Sequence, residues 1–161
     1  MLRVARIVSG GQSGVDRAAL DFAIAHGIPY GGWCPKGGWA EDFPDPPGVL
    51  ARYPGLRETP DRDTRQRTEW NVRDTDATLV LTRINACSPG TSVGIAAAET
   101  YAKPLLIVDI DAPDAAGRIR AWLGANPSIR TVSIGGPRES EARGIYQAAR
   151  LLLETLLAPA G

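Results

Sequence analysis

The sequence predicts an α/β fold, a Rossmann-like three-layer sandwich on a mainly parallel sheet. Three observations predict it. Short apolar runs alternate with stretches of helical period along nearly the whole chain. Two of those runs end in glycine-containing turns that open directly into a helix, and no tandem repeat or low-complexity linker interrupts the alternation. Strands that alternate with helices pair in parallel through right-handed crossovers, which puts helices on both faces of the sheet. A length of 161 residues suits one ordinary domain, so residues 1–161 are read as a single ligand-binding domain.

In order along the chain, Arg3 to Ser9 is apolar and partly β-branched and stops at Gly10-Gly11, as a buried strand does in a tight turn. From Ser13 onward Val15, Ala18, Ala19, Phe22 and Ala23 recur at helical spacing until Gly27 and Pro29 close the pattern. That spacing predicts a helix of about four turns. A short strand is expected at 28–33, followed by a Pro/Gly-rich stretch, 34–60, without a clear period; loops of that length in compact domains are usually functional or disordered. Asp61 to Asp74 carries few apolar residues among many charges and predicts a solvent-facing helix. It leads into a core strand, Ala77 to Thr82. Ser88-Pro89-Gly90-Thr91 then opens an Ala-rich helix over 92–102, repeating the strand-turn-helix grammar of the N-terminus. A strand at 104–109, a helix at 113–124, a strand at 129–134 and a closing helix at 139–157 complete the pattern. The last carries the apolar stripe Ile145, Ala148, Ala149, Leu152, Leu153 and Leu156, a core face.

Composition narrows the function. Eighteen Lys and Arg balance eighteen Asp and Glu, so no global positive field draws the protein onto nucleic acid or an anionic membrane. An anionic partner must be held locally. Met1 to Arg6 contains no apolar signal core and no apolar run reaches spanning length, so a cytoplasmic location is expected. Cys34 and Cys87 form no CxxC pair, which makes structural zinc unexpected. His26 is the only histidine, which excludes a multi-histidine metal site, and no nucleophile elbow is present. Its place before Gly27 suits a solvated C-terminal helix residue.

The loop Ser9-Gly10-Gly11-Gln12-Ser13-Gly14 is the first candidate site. Glycines let backbone amides approach a ligand, and a helix N-terminus supplies partial positive charge, so phosphate is the natural guest. The spacing is neither a P-loop nor a full GxGxxG, and the alternative is a bare turn in which Ser13 caps the helix. Ser88, Gly90 and Thr91 form a second such turn, which in a parallel sheet can open on the same edge; Thr91 could equally cap its own helix. Gly37 follows Trp33 and Lys36, an aromatic plane for a pterin or purine and a cation for phosphate, although most lysines are simply exposed and Trp33 could be core. Asp16 suits a first helical turn on dipole grounds alone. Thr68, Glu69 and Asn71 could orient a ligand or satisfy loop amides. Replacing Gly11 with a β-branched residue is expected to block the approach of a ligand to the first turn.

Four segments carry a resemblance: Ser9 to Leu20, Gly32 to Gly37, Arg67 to Val72, and Gly136-Pro137-Arg138-Glu139-Ser140. Together they resemble the molybdenum carrier family, within a larger Rossmann-like group that includes YpsA-like proteins and lysine-decarboxylase-like phosphoribohydrolases. The resemblance implies a cytoplasmic homo-oligomer, a dimer or tetramer, that binds, stores or transfers the molybdenum cofactor, a phosphate-bearing pterin whose dithiolene holds molybdenum. It also implies molybdoenzyme clients and no catalytic pair. The wider group implies nucleotide binding and sensing, or hydrolysis of a nucleotide N-glycosidic bond. Two departures stand out. Gly38-Trp39 replaces the basic pair expected after Pro-Lys-Gly, so Lys36 must supply more of the charge. The glutamate expected beyond the Gly-Thr turn falls on Ala96, with Glu99 one turn too late, which argues against the hydrolase.

Overall fold

The computed structural model describes residues 2–159. Strands and helices alternate as β1 (Arg6–Val8), α1 (Val15–Ala25), β2 (Tyr30–Cys34), α2 (Val49–Arg52), β3 (Leu56–Glu58), α3 (Thr64–Arg73), β4 (Ala77–Thr82), α4 (Pro89–Thr100), β5 (Leu105–Asp109), α5 (Ala115–Ala125), β6 (Thr131–Gly135) and α6 (Ile145–Leu157). The strands form one sheet in the order β3-β2-β1-β6-β4-β5, and every pairing is parallel. The chain therefore builds outward from β1 to β3, crosses to β4 and β5, and returns to lay β6 in the middle. The reversal on either side of β6 makes the crevice at the carboxyl ends of β1, β6 and β4 the natural ligand position.

The two sheet faces differ, and the difference places the site. Strand side chains alternate between faces. Leu79 and Leu81 of β4, Val132 and Ile134 of β6 and Ile7 of β1 pack into the main core with α1, α5 and α6. Their neighbours Thr78, Val80 and Ser133 point the other way, toward α3 and α4. Thr78 and Ser133 are partners in the β4–β6 register. A sheet centre that presents hydroxyls beneath its covering helices cannot be packed as ordinary apolar core, and a cavity remains there.

Several boundaries differ from the sequence expectation. The first strand shrinks to three residues, and α1 has eleven residues, about three turns. Gly14 is its N-cap, at φ 77°, with no side-chain cap, so Ser13 does not cap it. The Pro/Gly-rich stretch contains α2 and β3, the latter pairing with β2. Helix α3 is not simply solvent-facing: Arg67, Asn71 and Val72 are buried on its inner side, and Asp63 caps it through the amide of Arg65 at 2.8 Å. The last helix begins at Ile145, because Glu139 accepts the amides of Gly144 and Tyr146 and holds residues 139–144 in a turn. No helix among the described residues is long and apolar enough to cross a membrane.

Candidate functional site

The cavity under α3 and α4 has a volume of about 70 Å³. Its floor is Thr78 and Val80 of β4 with Ser133 to Gly135 of β6; Ser9 and Gly10 after β1 form one wall, and Ser88, Gly90 and Thr91 at the start of α4 form another. Arg67, Thr68 and Asn71 of α3 and Arg138 and Glu141 after β6 close it. The two glycine turns thus border one cavity. It continues outward into a cleft of about 240 Å³ that shares Thr64, Thr68, Gly90, Arg138 and Glu141 with it. At roughly 10–15 Å³ per water, the inner chamber holds a few waters or one tetrahedral oxyanion. The outer cleft leaves room for the rest of a larger molecule.

The chamber's polar groups are unevenly satisfied. Gln12 Oε1 accepts the amides of Ser13 at 3.0 Å and Glu41 at 2.9 Å, whereas its Nε2 is buried without a partner. Thr78 Oγ1 is buried and unpartnered too. Arg67 donates Nε to Thr64 O at 3.2 Å and Nη1 to Gly10 O at 3.0 Å, and among the described residues its Nη2 makes no hydrogen bond. Buried donors are normally matched, and leaving one unmatched costs about 1–3 kcal/mol. Two buried unmatched groups, Gln12 Nε2 and Thr78 Oγ1, and the unbonded Arg67 Nη2 beside one small chamber suit an acceptor-rich guest.

Charges in the chamber come in opposed pairs. Arg67 Nη1 lies 3.3 Å from Asp16 Oδ2, and both side chains are nearly buried. Burial pushes the Asp16 carboxyl above the ordinary range, against the pull of Arg67, the Gln12 amide and the Ser9 hydroxyl. Ser88 Oγ donates to Glu141 Oε1 at 3.0 Å, and Glu141 also accepts the amide of Arg138. Arg138 stacks over Trp39, its guanidinium 5.2 Å from the ring centre. The position that replaces a member of the expected basic pair therefore supports a cation that arrives from the other end of the chain.

The residues singled out from sequence divide into two groups. Gly10, Gln12, Asp16, Thr68, Asn71, Ser88, Gly90 and Thr91 border the chamber. Gly11 is instead packed against Val49 and Leu56. Ser13 and Gly14 face a separate, shallower depression beside Glu41 and Glu139. The Ser13 hydroxyl donates to Glu41 there. Trp33 lies outside the chamber, edge-on to Trp70 with Arg57 over its ring and its Nε1 donating to Asp74. Lys36 is exposed, and the amide of Gly37 is held by Glu58. Glu69 pairs with Arg65 on the surface of α3. Asn71 is taken up by structure, clamping the amide and carbonyl of Trp33 at 2.7 and 3.0 Å. Ser88, not Thr91, caps α4, accepting the amide of Thr91 at 3.4 Å.

The start of α1 is also less open than its glycines suggest. The amides of Gln12, Ser13 and Val15 are held by Asp16, Gln12 and the Pro137 carbonyl. The donors that remain for a guest are side chains and the start of α4. Sequence reading did not single out Arg67, Arg138, Glu141 or Thr78. The first two lie inside segments that carried the resemblance, which was the available signal; nothing local marks Thr78 as other than an ordinary strand residue. Ala96 and Glu99 are both exposed and border neither volume. Cys34 lies outside the chamber, its thiol pushed up to about 11 by burial. Cys87 is exposed.

Comparison with known proteins places this geometry. A crystal structure from Syntrophus aciditrophicus SB, named "Putative molybdenum carrier protein", is 43% identical to this chain, covers 97% of it with 96% of its own length, and superposes with a TM-score of 0.87. No curated protein matches the chain. A model of the family described as "Circularly permutated YpsA SLOG family" matches residues 7–157. The chain belongs to that circularly permutated YpsA family.

Proposed function

We propose that the protein binds the molybdenum cofactor as cargo, for storage or transfer, with the cofactor's phosphate in the inner chamber and its pterin in the outer cleft. The observation that carries this reading is the set of unmatched donors, Gln12 Nε2, Thr78 Oγ1 and Arg67 Nη2, around a space the size of one oxyanion. Phosphate would accept from Arg67 Nη2, and from Gln12 Nε2 and Thr78 Oγ1 once those side chains turn into the chamber, and the start of α4 adds its dipole. The name of the 43% identical structure supports molybdenum as the cargo's metal. Among the described residues no cysteine borders the chamber or cleft, so these residues would hold the cofactor by its phosphate and pterin and add no thiolate to the metal.

Two glycine turns beside an outer cleft also favour a nucleotide with its phosphate in the same place, as a sensor would require. The hydrolase reading loses the acid expected beyond the Gly-Thr turn, because Ala96 and Glu99 lie away from the chamber. Purification without oxygen, followed by assay of released pterin and molybdenum, separates these readings. The carrier reading predicts that both co-purify, or that added cofactor binds. A folded preparation that contains neither and refuses added cofactor, yet gives heat with nucleoside monophosphates in a calorimeter, replaces it with the sensor.

A further inference from the structure

The chamber holds a carboxylate where an anionic guest must sit. Asp16 and Arg67 both line it, joined at 3.3 Å, and Arg67 Nη2 is the edge of the guanidinium left for a ligand. The other charged groups facing this pair are Arg17 on α1, and Arg138 and Glu141 from the turn after β6. The Cys34 thiol on β2 faces Arg67. Helix α4 and strand β4 bring only Ser88, Gly90, Thr91, Gly94, Thr78 and Val80. Two guanidinium groups and two carboxylates line the chamber, so a doubly charged oxyanion enters a neutral lining and meets Asp16 directly. Like charges sharing a small, poorly hydrated site cannot both remain ionised.

We propose that oxyanion loading of this chamber is coupled to uptake of one proton by Asp16, Arg67 passing from the carboxylate to the incoming anion. This rests on the oxyanion reading of the chamber given above. The proton comes from solvent and adds to a carboxylate oxygen of Asp16; no bond to the ligand forms or breaks. Protonated Asp16 keeps one oxygen as acceptor for the Gln12 amide, which it now holds at 3.4 Å, and gains an O–H that can donate. Burial already biases this carboxyl toward its neutral form. A rise in pH would then release the cargo and a fall would retain it, in the window above the ordinary carboxylate range.

Inorganic sulfate is the probe, because it does not titrate near neutrality and any proton taken up must belong to the protein. Linkage predicts that sulfate affinity in the wild type falls by up to about tenfold per pH unit above the titration of Asp16. Asp16→Asn should show a flat profile. In the wild type, adding sulfate should also raise a carboxylic-acid C=O band in the difference infrared spectrum, a readout that stands if the variant fails to fold. Sulfate bound with no such band and no pH slope overturns the coupling alone. Sulfate bound by neither protein at any pH removes the oxyanion reading beneath it as well.

Discussion

Gly10 has no side chain because Arg67 needs its place: a Cβ there would lie 2.0 Å from Arg67 Nη1. The first turn is therefore shaped around a buried cation that arrives from α3, a contact no local pattern announces. Gly11 teaches the complementary lesson. Its φ is 77°, and a Cβ on it would meet Leu56 at 3.0 Å and Val49 at 3.2 Å, so replacement by a β-branched residue reports on folding rather than on ligand access. Arg138 is the cleaner probe of the site. It is half-buried, and its side chain stacks on Trp39 and among the described residues makes no hydrogen bond. Arg138→Ala should weaken phosphate-ligand binding roughly 10- to 100-fold, the loss of one charge-assisted hydrogen bond of about 1.5–3 kcal/mol. It should cost only about 0.5–1 kcal/mol of stability through the lost stacking. Calorimetric titration beside a thermal melt checks both.

At the scale of elements, helix and strand positions followed from periodicity wherever packing is repetitive. Strand β4 occupies Ala77–Thr82, as its apolar run indicates. Elements were missed where tertiary contacts override local pattern: α2 and β3 lie in a stretch rich in proline and glycine, and β3 exists because Gly32 to Cys34 offer it a parallel partner. The entry to β4 has its own clamp. Asp76 Oδ2 accepts the amides of Arg130 and Thr131, both at 2.9 Å, and so pins β4 to β6 just before Ala77 pairs with Val132. Those amides, Thr131 first, hold the Asp76 carboxyl below its ordinary value. A depressed carboxyl contributes stability that is fully present above the unfolded value of about 3.9 and is lost as pH falls through the folded one. Asp76→Asn should therefore lie below the wild type by a constant amount in melts above about pH 5, with the gap closing in stronger acid. A gap independent of pH would mean that the clamp acts without its charge.

At the scale of the molecule, the α/β class and the shared edge of the two glycine turns were legible from sequence, because alternation fixes a parallel sheet and a parallel sheet puts every strand-to-helix turn on one edge. The insertion of β6 between β1 and β4 was not legible, since the order of strands depends on which crossover returns to the centre. That insertion brings Ser133 beside Thr78 and carries Arg138 and Glu141 to the chamber. Most of the site is therefore distant in sequence from the loop that first suggested it. Gly90 allows the chamber to be tested without disturbing the fold: it borders both inner and outer volumes, and a Cβ built on it meets nothing within 4 Å. The most direct measurement is titration of purified wild type and Gly90→Leu with the molybdenum cofactor under anaerobic conditions, with melts recorded in parallel. Binding by the wild type, and its loss in a variant that melts within a few degrees of it, is the predicted result; equal binding by both would contradict the placement of the cargo in this cleft.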